Sequence, residues 1–279
     1  MIGHCIFNRI TLNLMKSSSE ADRALRELRK VGTQSAIWRS LAFSDIRSKY
    51  RLSTLGSLWI TLTTGALALS VGLIYGQFFG QDIHAYLPYF TASYITWMLI
   101  VATLTESSMT LTSAGNIIKS SQMPIVFHIM RMLQRNFIIA AHNAVVLAAV
   151  WPFVRWHVGP GALMSIAGLA LLYLFLGGAS IVLAIICARY RDVPPLVQVL
   201  MQFLFFATPV IWYPEQLRFG EFILTFNPLA YLLMAVRDPI LGRAVALETW
   251  FICTCLAATS VSAGVLMYIR YRKRIAYWV

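Results

Sequence analysis

The chain has 279 residues, 58% of them hydrophobic and 12% charged, with a formal net charge of +12. A soluble domain carries about a quarter charged residues, and a soluble fold of this size has too little interior to hide so much apolar side chain. The composition excludes a soluble enzyme and points to a helical membrane protein, since the period-two alternation of a transmembrane barrel is missing.

A helix needs about 20 apolar residues to cross a bilayer, and a charge inside is costly, so charge-free intervals locate the spans. Residues 1–35 are polar and basic and lack the apolar stretch of a signal peptide. They read as a cytoplasmic extension, in which Ser17–Lys30 forms either a short Ser-capped helix or a mobile tail. Ile37–Arg51 (IWRSLAFSDIRSKYR) follows. At helical spacing Trp38, Leu41, Ala42, Ile46 and Tyr50 share one side, with Arg39, Arg47 and Arg51 largely on the other. That is an amphipathic interfacial helix, its basic residues at the headgroups. The first two long charge-free intervals are Leu52–Gln81 and Ile83–Thr105.

Thr112–Arg131 is too polar to cross. Gly115 and Asn116 break the second helix, and Ile117–Lys119 with Met123–Ile125 form a short apolar-basic cytoplasmic element. Asn136–Val154 and Trp156–Ala188 are the third and fourth spans. The segment ARYRDVPP (188–195) then makes a tight cytoplasmic turn. Arg189 and Arg191 anchor it at the headgroups, and Pro194 and Pro195 suit the first turn of the next helix, where a missing N–H costs nothing. The fifth interval is Val193–Pro214 and the sixth Thr249–Ile269. Between them Phe222–Val236, about 15 residues interrupted by Asn227-Pro228, is too short to span and reads as re-entrant or interfacial.

Six spans put both termini on one side. That side holds nineteen Lys/Arg against four on the other, which makes it cytoplasmic. The basic excess is a topology and lipid-surface signal, and no nucleic-acid partner is expected.

Reactive motifs are missing. No G-x-x-x-x-G-K-[S/T] occurs, so no phosphate-cradling loop, and there is no H-E-x-x-H or G-x-S-x-G. The four cysteines, Cys5, Cys187, Cys253 and Cys255, form neither a disulfide framework nor a metal set. Glu106 reads as a residue at the inner end of the second span bonded to a neighbouring helix. His142 reads as a packed or hydrogen-bonded histidine rather than a proton relay. No carboxylate pair is set for glycosyl chemistry. Neither a cofactor nor a metal is expected on this chain. Aromatic residues remain: Tyr75, Tyr94, Trp97, Phe205, Phe206 and Trp212 belong either to the interfacial belt and helix packing or to a lining that stacks on sugar rings.

Several stretches, in order, resemble the permease subunits of type-2 ABC exporters, specifically those for O-antigen, capsule and teichoic acid. They are KYRLSTLGSLW (Lys49–Trp59), YLPYFTASYITW (Tyr86–Trp97), GNIIKSSQMP (Gly115–Pro124), YRDVPPLVQVLMQFLFFATPVIW (Tyr190–Trp212), NPLAYLLMAVRDPIL (Asn227–Leu241) and RKRIAYWV (Arg272–Val279). The resemblance covers residues 36–279, read as one transmembrane domain after the 1–35 extension. The chain departs from the family pattern at Ser120, where a second lysine is usual, and at Thr63-Thr64 and near Met132, where prolines are usual.

The resemblance implies an all-α polytopic protein with six transmembrane helices, an N-terminal amphipathic interfacial helix and short re-entrant helices before the last span. It also implies a homodimer in the bacterial inner membrane, with a channel for lipid-linked polysaccharide between the copies. Two separate ATPase subunits, carrying the ATP and magnesium, would dock on Arg39, Arg47, Asn116, Lys119, Pro124, Arg189 and Arg191. The channel would be lined by the six aromatics named above. Two other readings share parts of the pattern: a small-molecule or drug exporter of the same architecture, and a membrane glycosyltransferase or acyltransferase. The last needs catalytic carboxylates or a histidine facing a cavity.

Overall fold

The computed structural model describes residues 22–49, 51, 58–78, 80, 82–120, 123–150, 159–216 and 220–279. Among these residues every regular element is a helix. Helix α1 covers 22–33. It is followed by α2 (Ser35–Lys49), α3 (Leu58–Phe78), α4 (Ile83–Ser113), α5 (Gly115–Ser120) and α6 (Val126–Val150). A 3-10 turn, Pro160–Leu163, leads into α7 (Met164–Arg189), and then come α8 (Val193–Ala207), a second 3-10 turn (Pro214–Gln216), α9 (Gly220–Phe226), α10 (Pro228–Ile240) and α11 (Leu247–Trp278).

Helix α4 is the axis of the fold. It starts at Asp82, whose carboxylate accepts from the His84 backbone N–H at 3.1 Å, a cap that satisfies one of the orphan donors of the first turn. It packs against α3, α6, α7, α8 and α10. Its buried hydroxyls cost little because each bonds within its own helix: Thr91 to the Leu87 carbonyl at 2.7 Å, Ser93 to Tyr89 at 2.8 Å and Thr96 to Ala92 at 2.9 Å. Helices α7 and α11 form the second spine. Small residues let their backbones meet, since a Cβ built on Gly178 would lie 2.4 Å from the Ser260 carbonyl.

Contacts define two ends of the bundle. At one, the starts of α4 and α7 meet α10 and the turn after α8. At the other, α1 and α2 pack with α5, the start of α6 and the last turns of α7 and α11 around Trp38, Phe127, Ala188 and Tyr268. Most lysines and arginines lie at this second, basic end. The described N-terminal helix and the C-terminus share it: Tyr268 donates to Glu27 at 2.6 Å, and Val279 lies against Gly115.

Among the described residues five helices, α3, α4, α6, α7 (with its 3-10 turn) and α11, are long and apolar enough to cross a membrane. The fifth expected span differs. Its helix, α8, has 15 residues, about 22 Å against a core of about 30 Å. It stops at Ala207 because Thr208 precedes Pro209, and the proline ring forces Thr208 to an extended φ −101°, ψ 140°. Even so, α8 runs from the basic end toward the opposite end of the bundle.

Other boundaries moved. The third span begins at Val126, ten residues before the charge-free interval, and α11 continues nine residues past Ile269. The breaks at Gly115, at ARYRDVPP and at Asn227-Pro228 fall where expected. Asn227 explains the last break. It caps α10 by accepting from the Leu229 N–H and donates to Thr208 Oγ at 2.8 Å, fixing α10 against the end of α8. The stripe Trp38, Ala42 and Ile46 of α2 is buried and turned toward α6 rather than toward lipid. Tyr50, the Ser cap expected near Ser17 and Cys5 lie outside the described residues.

Candidate functional site

Beside α4, helix α8 leaves a groove of about 360 Å³. Trp97 forms its buried wall, Phe205 leans on Trp97 with ring centroids 6.0 Å apart, and Phe206 meets Phe205 edge-to-face at 5.4 Å. Phe206 is 70% exposed, whereas Trp97 is 3% exposed, so Trp97 can present only an edge to anything in the groove. Trp212 is not part of the groove's lining, but its indole N–H donates to the Phe206 carbonyl at 3.0 Å. The other two expected lining residues lie elsewhere. Tyr94 stacks on Phe90 at 5.5 Å, and Tyr75 meets Phe78 on α3 at 6.4 Å.

The groove also holds Gln198 and Gln202, which are not among the residues expected from the aromatic content. Their i, i+4 spacing puts both amides on one face of α8. Both are exposed on an otherwise apolar helix, so lipid on this face would leave polar amides without partners. That spacing was the available signal.

At the end of the bundle opposite the basic end, Arg237 is 1% exposed. Its guanidinium donates to the adjacent Asp238 at 2.6 Å, to the Tyr89 hydroxyl at 3.0 Å and to the Pro209 carbonyl at 2.8 Å. Tyr89 in turn donates to the Trp212 carbonyl at 2.8 Å, and Tyr86 to Ile211 at 2.7 Å. These bonds lock α10 and the Thr208–Tyr213 turn onto the start of α4.

At the basic end an ionic chain joins three helices. Arg131 makes a bidentate pair with Asp45 of α2, one contact being Nε to Oδ2 at 2.8 Å. Arg135 bridges Asp45 at 3.2 Å and Glu106 of α4 at 2.6 Å. Burial raises the Asp45 pKa, but hydrogen bonds and charge from Arg131 and Arg135 outweigh it and hold the carboxyl below the ordinary aspartate value. Glu106 is thus bonded to a neighbouring helix, as expected, and Asn136 adds a donor at 3.1 Å. His142 sits 2.9 Å from the Ile138 carbonyl, a packed histidine with a local bond.

Of the seven residues expected to meet a cytoplasmic partner, Arg39, Arg47, Asn116, Lys119, Arg189 and Arg191 are exposed and Pro124 is half-buried. Pro124 lines a cavity of about 500 Å³ with Ile37, Ile118, Lys30 and Lys273. This cavity joins α1, α2, α5 and the end of α11 into one surface. Arg189 turns aside from it, its guanidinium over the rings of Tyr190 and Trp278 at 5.4 and 5.2 Å. Among the described residues no three His, Cys, Asp or Glu side chains gather as a metal set.

Comparison with known proteins agrees with this architecture. Residues 36–241 match the family described as ABC-2 type transporter. Two curated relatives, both O-antigen export system permease protein RfbA of Klebsiella pneumoniae, are 25% and 23% identical to the chain over 242 residues. Each alignment covers 82% of this chain and 90% of the relative. With a family match over most of an all-helical, multi-pass chain, this protein belongs to the ABC-2 type transporter family.

Proposed function

We propose that this membrane permease carries lipid-linked polysaccharide outward, with two copies enclosing the conduit and two separate ATPase subunits supplying the energy. The observation that carries the reading is the α4–α8 groove. It sets aromatic edges and two glutamine amides on a membrane-depth face that lipid would cover only at a cost. Sugars need this pair of chemistries, apolar ring faces for stacking and amides for hydroxyls. The curated relatives are permeases named for O-antigen export.

In this reading the basic end faces the cytoplasm, the membrane is the bacterial inner membrane and both termini are cytoplasmic. The ATPase subunits dock on α2, α5 and the Pro124 cavity, with Arg39, Arg47, Asn116, Lys119 and Arg191 on the surface. Closure of the ATPase pair pushes α2, and the Asp45–Arg131–Arg135–Glu106 chain passes the displacement to α6 and α4. Phe205, Phe206 and Trp212 line the path, with Trp97 behind them, and Tyr75 and Tyr94, which pack elsewhere, drop out of the lining.

Purification of the chain with and without an ATPase partner encoded beside it tests the split of labour. The complex should contain two copies of each and turn over ATP, and the permease alone should turn over none. ATP turnover by the isolated chain, or a complex with a single permease copy, contradicts the proposal.

A further inference from the structure

Helices α7 and α11 touch most closely near their midpoints, where a Cβ on Gly264 would lie 2.9 Å from the Gly178 carbonyl oxygen. Toward the basic end a groove of about 340 Å³ opens between the same two helices. Ile185 and Met267 floor it, Tyr271 and Trp278 form one wall with rings 5.7 Å apart, and Arg189 and Arg274 stand at its rim.

Three arginines at this end are already matched to acidic residues. Arg131 and Arg135 are paired with Asp45 and Glu106, and Arg272 lies 3.0 Å from Glu27. No acidic residue lines the α7–α11 groove, and among the described residues neither Arg189 nor Arg274 has an acidic partner. Two cations over an apolar floor call for an occupant that is anionic at one end and apolar at the other.

The depth fits the same occupant. Arg189 follows Gly178 by eleven residues and Arg274 follows Gly264 by ten. At 1.5 Å per residue that is about 16 and 15 Å, the half-thickness of a hydrocarbon core of about 30 Å. Both guanidinium groups therefore lie about 15 Å along their helices from the glycine contact, toward the end of the bundle where the charged residues gather. Trp278 and Tyr271, on the last part of α11, lie beside them, and such rings favour a membrane–water interface. The floor lies deeper, within reach of an acyl chain and beyond that of a soluble subunit.

We propose that this groove binds an anionic phospholipid of the leaflet on the basic side. The phosphate bridges Arg189 and Arg274 by charge-assisted hydrogen bonds, and one acyl chain runs along Ile185 and Met267. The site is separate from the α4–α8 groove and does not depend on what the protein exports. It takes Arg189 out of the ATPase-docking set and leaves Arg191 in it.

The test is native mass spectrometry of the full chain in detergent, delipidated and titrated with phosphatidylglycerol or phosphatidylcholine. Wild type should retain one more phosphatidylglycerol per chain than Arg189→Gln/Arg274→Gln, with phosphatidylcholine retained equally by both. Arg191→Gln should behave as wild type, and Arg189→Lys/Arg274→Lys, which keeps both charges, should hold the lipid. Equal phosphatidylglycerol retention by wild type and the double Gln variant overturns the proposal, as does equal loss in Arg191→Gln. If the double Gln variant keeps the lipid but sheds the ATPase subunit, the groove belongs to the partner and the proposal fails.

Discussion

Adjacent glycines on α7 allow an internal control. A methyl on Gly178 would sit 2.4 Å from the carbonyl carbon and oxygen of Ser260 and 2.5 Å from the nitrogen of Val261, all backbone atoms that have no rotamer to yield. The helices must part by about 1 Å to restore ordinary contact, and overpacking of this kind costs about 1–3 kcal/mol. Parting also strains the bond from Ser260 Oγ to the Phe175 carbonyl, 2.7 Å long, which is worth about 1 kcal/mol. Replacing a helical glycine by alanine returns up to about 1 kcal/mol. The net cost of Gly178→Ala is therefore about 1–3 kcal/mol, a fall in Tm of roughly 3–10 °C for a chain of this size. Gly177 is one residue away, but a methyl there would lie 3.5 Å from Leu133 Cδ2, an ordinary contact. Gly177→Ala should melt at or slightly above the wild-type temperature. Circular-dichroism melts in one detergent compare the three proteins. If both variants melt together, or Gly178→Ala melts higher, the close packing of α7 on α11 is wrong.

Other consequences follow from single clusters. Asp45→Asn removes the charge that ties α2 to α6. These pairs are partly exposed, so stability should change by less than about 1–2 kcal/mol, while export falls several-fold; unchanged export at equal expression counts against α2 as the transmitting element. Because the folded Asp45 pKa lies below its unfolded value, the tie is complete at neutral pH. It should persist at pH 5 and be lost only as pH falls below about 4, read as hydrogen exchange of α2. Arg237→Met leaves Asp238 unpaired and the Pro209 carbonyl without this donor, so denaturation should show a loss of about 3–5 kcal/mol; a loss under 1 kcal/mol refutes the lock. Phe205→Ala with Trp212→Ala should reduce surface glycan by roughly two- to tenfold per ring, with the protein still folded and bound to its ATPase. Normal export by that double variant returns both rings to the aromatic belt.

The membrane architecture was legible because charge is scarce. Charge-free intervals found every long helix, and Gly115, the double proline after Arg191 and Asn227-Pro228 marked breaks by backbone chemistry alone. The rule failed where a partner on another helix made a charge tolerable. Helix α6 begins at Val126 rather than Asn136 because Arg131 and Arg135 are neutralised by Asp45 and Glu106, residues 86 and 29 positions away. Arg237 carries its counter-charge in Asp238, the next residue, but its structural role rests on Tyr89, 148 positions away. Aromatic content indicated candidate lining residues but not which of them meet: Trp97, Phe205 and Phe206 share one groove, while Tyr75 and Tyr94 pack elsewhere. Gln198 and Gln202 were visible as an i, i+4 pair. Their weight came only from the exposed face they occupy.

The central claim is that this permease moves a finished, lipid-linked polysaccharide across the membrane. The direct measurement is the location of that glycan in cells that lack the chain. Lipid-linked glycan should be made and should accumulate on the cytoplasmic side, with none at the surface, and re-expression of the chain should restore surface glycan only when the ATPase partner is present. Glycan reaching the surface without the chain, or absence of the lipid-linked glycan altogether, would contradict it, the second outcome indicating a role in synthesis instead of export.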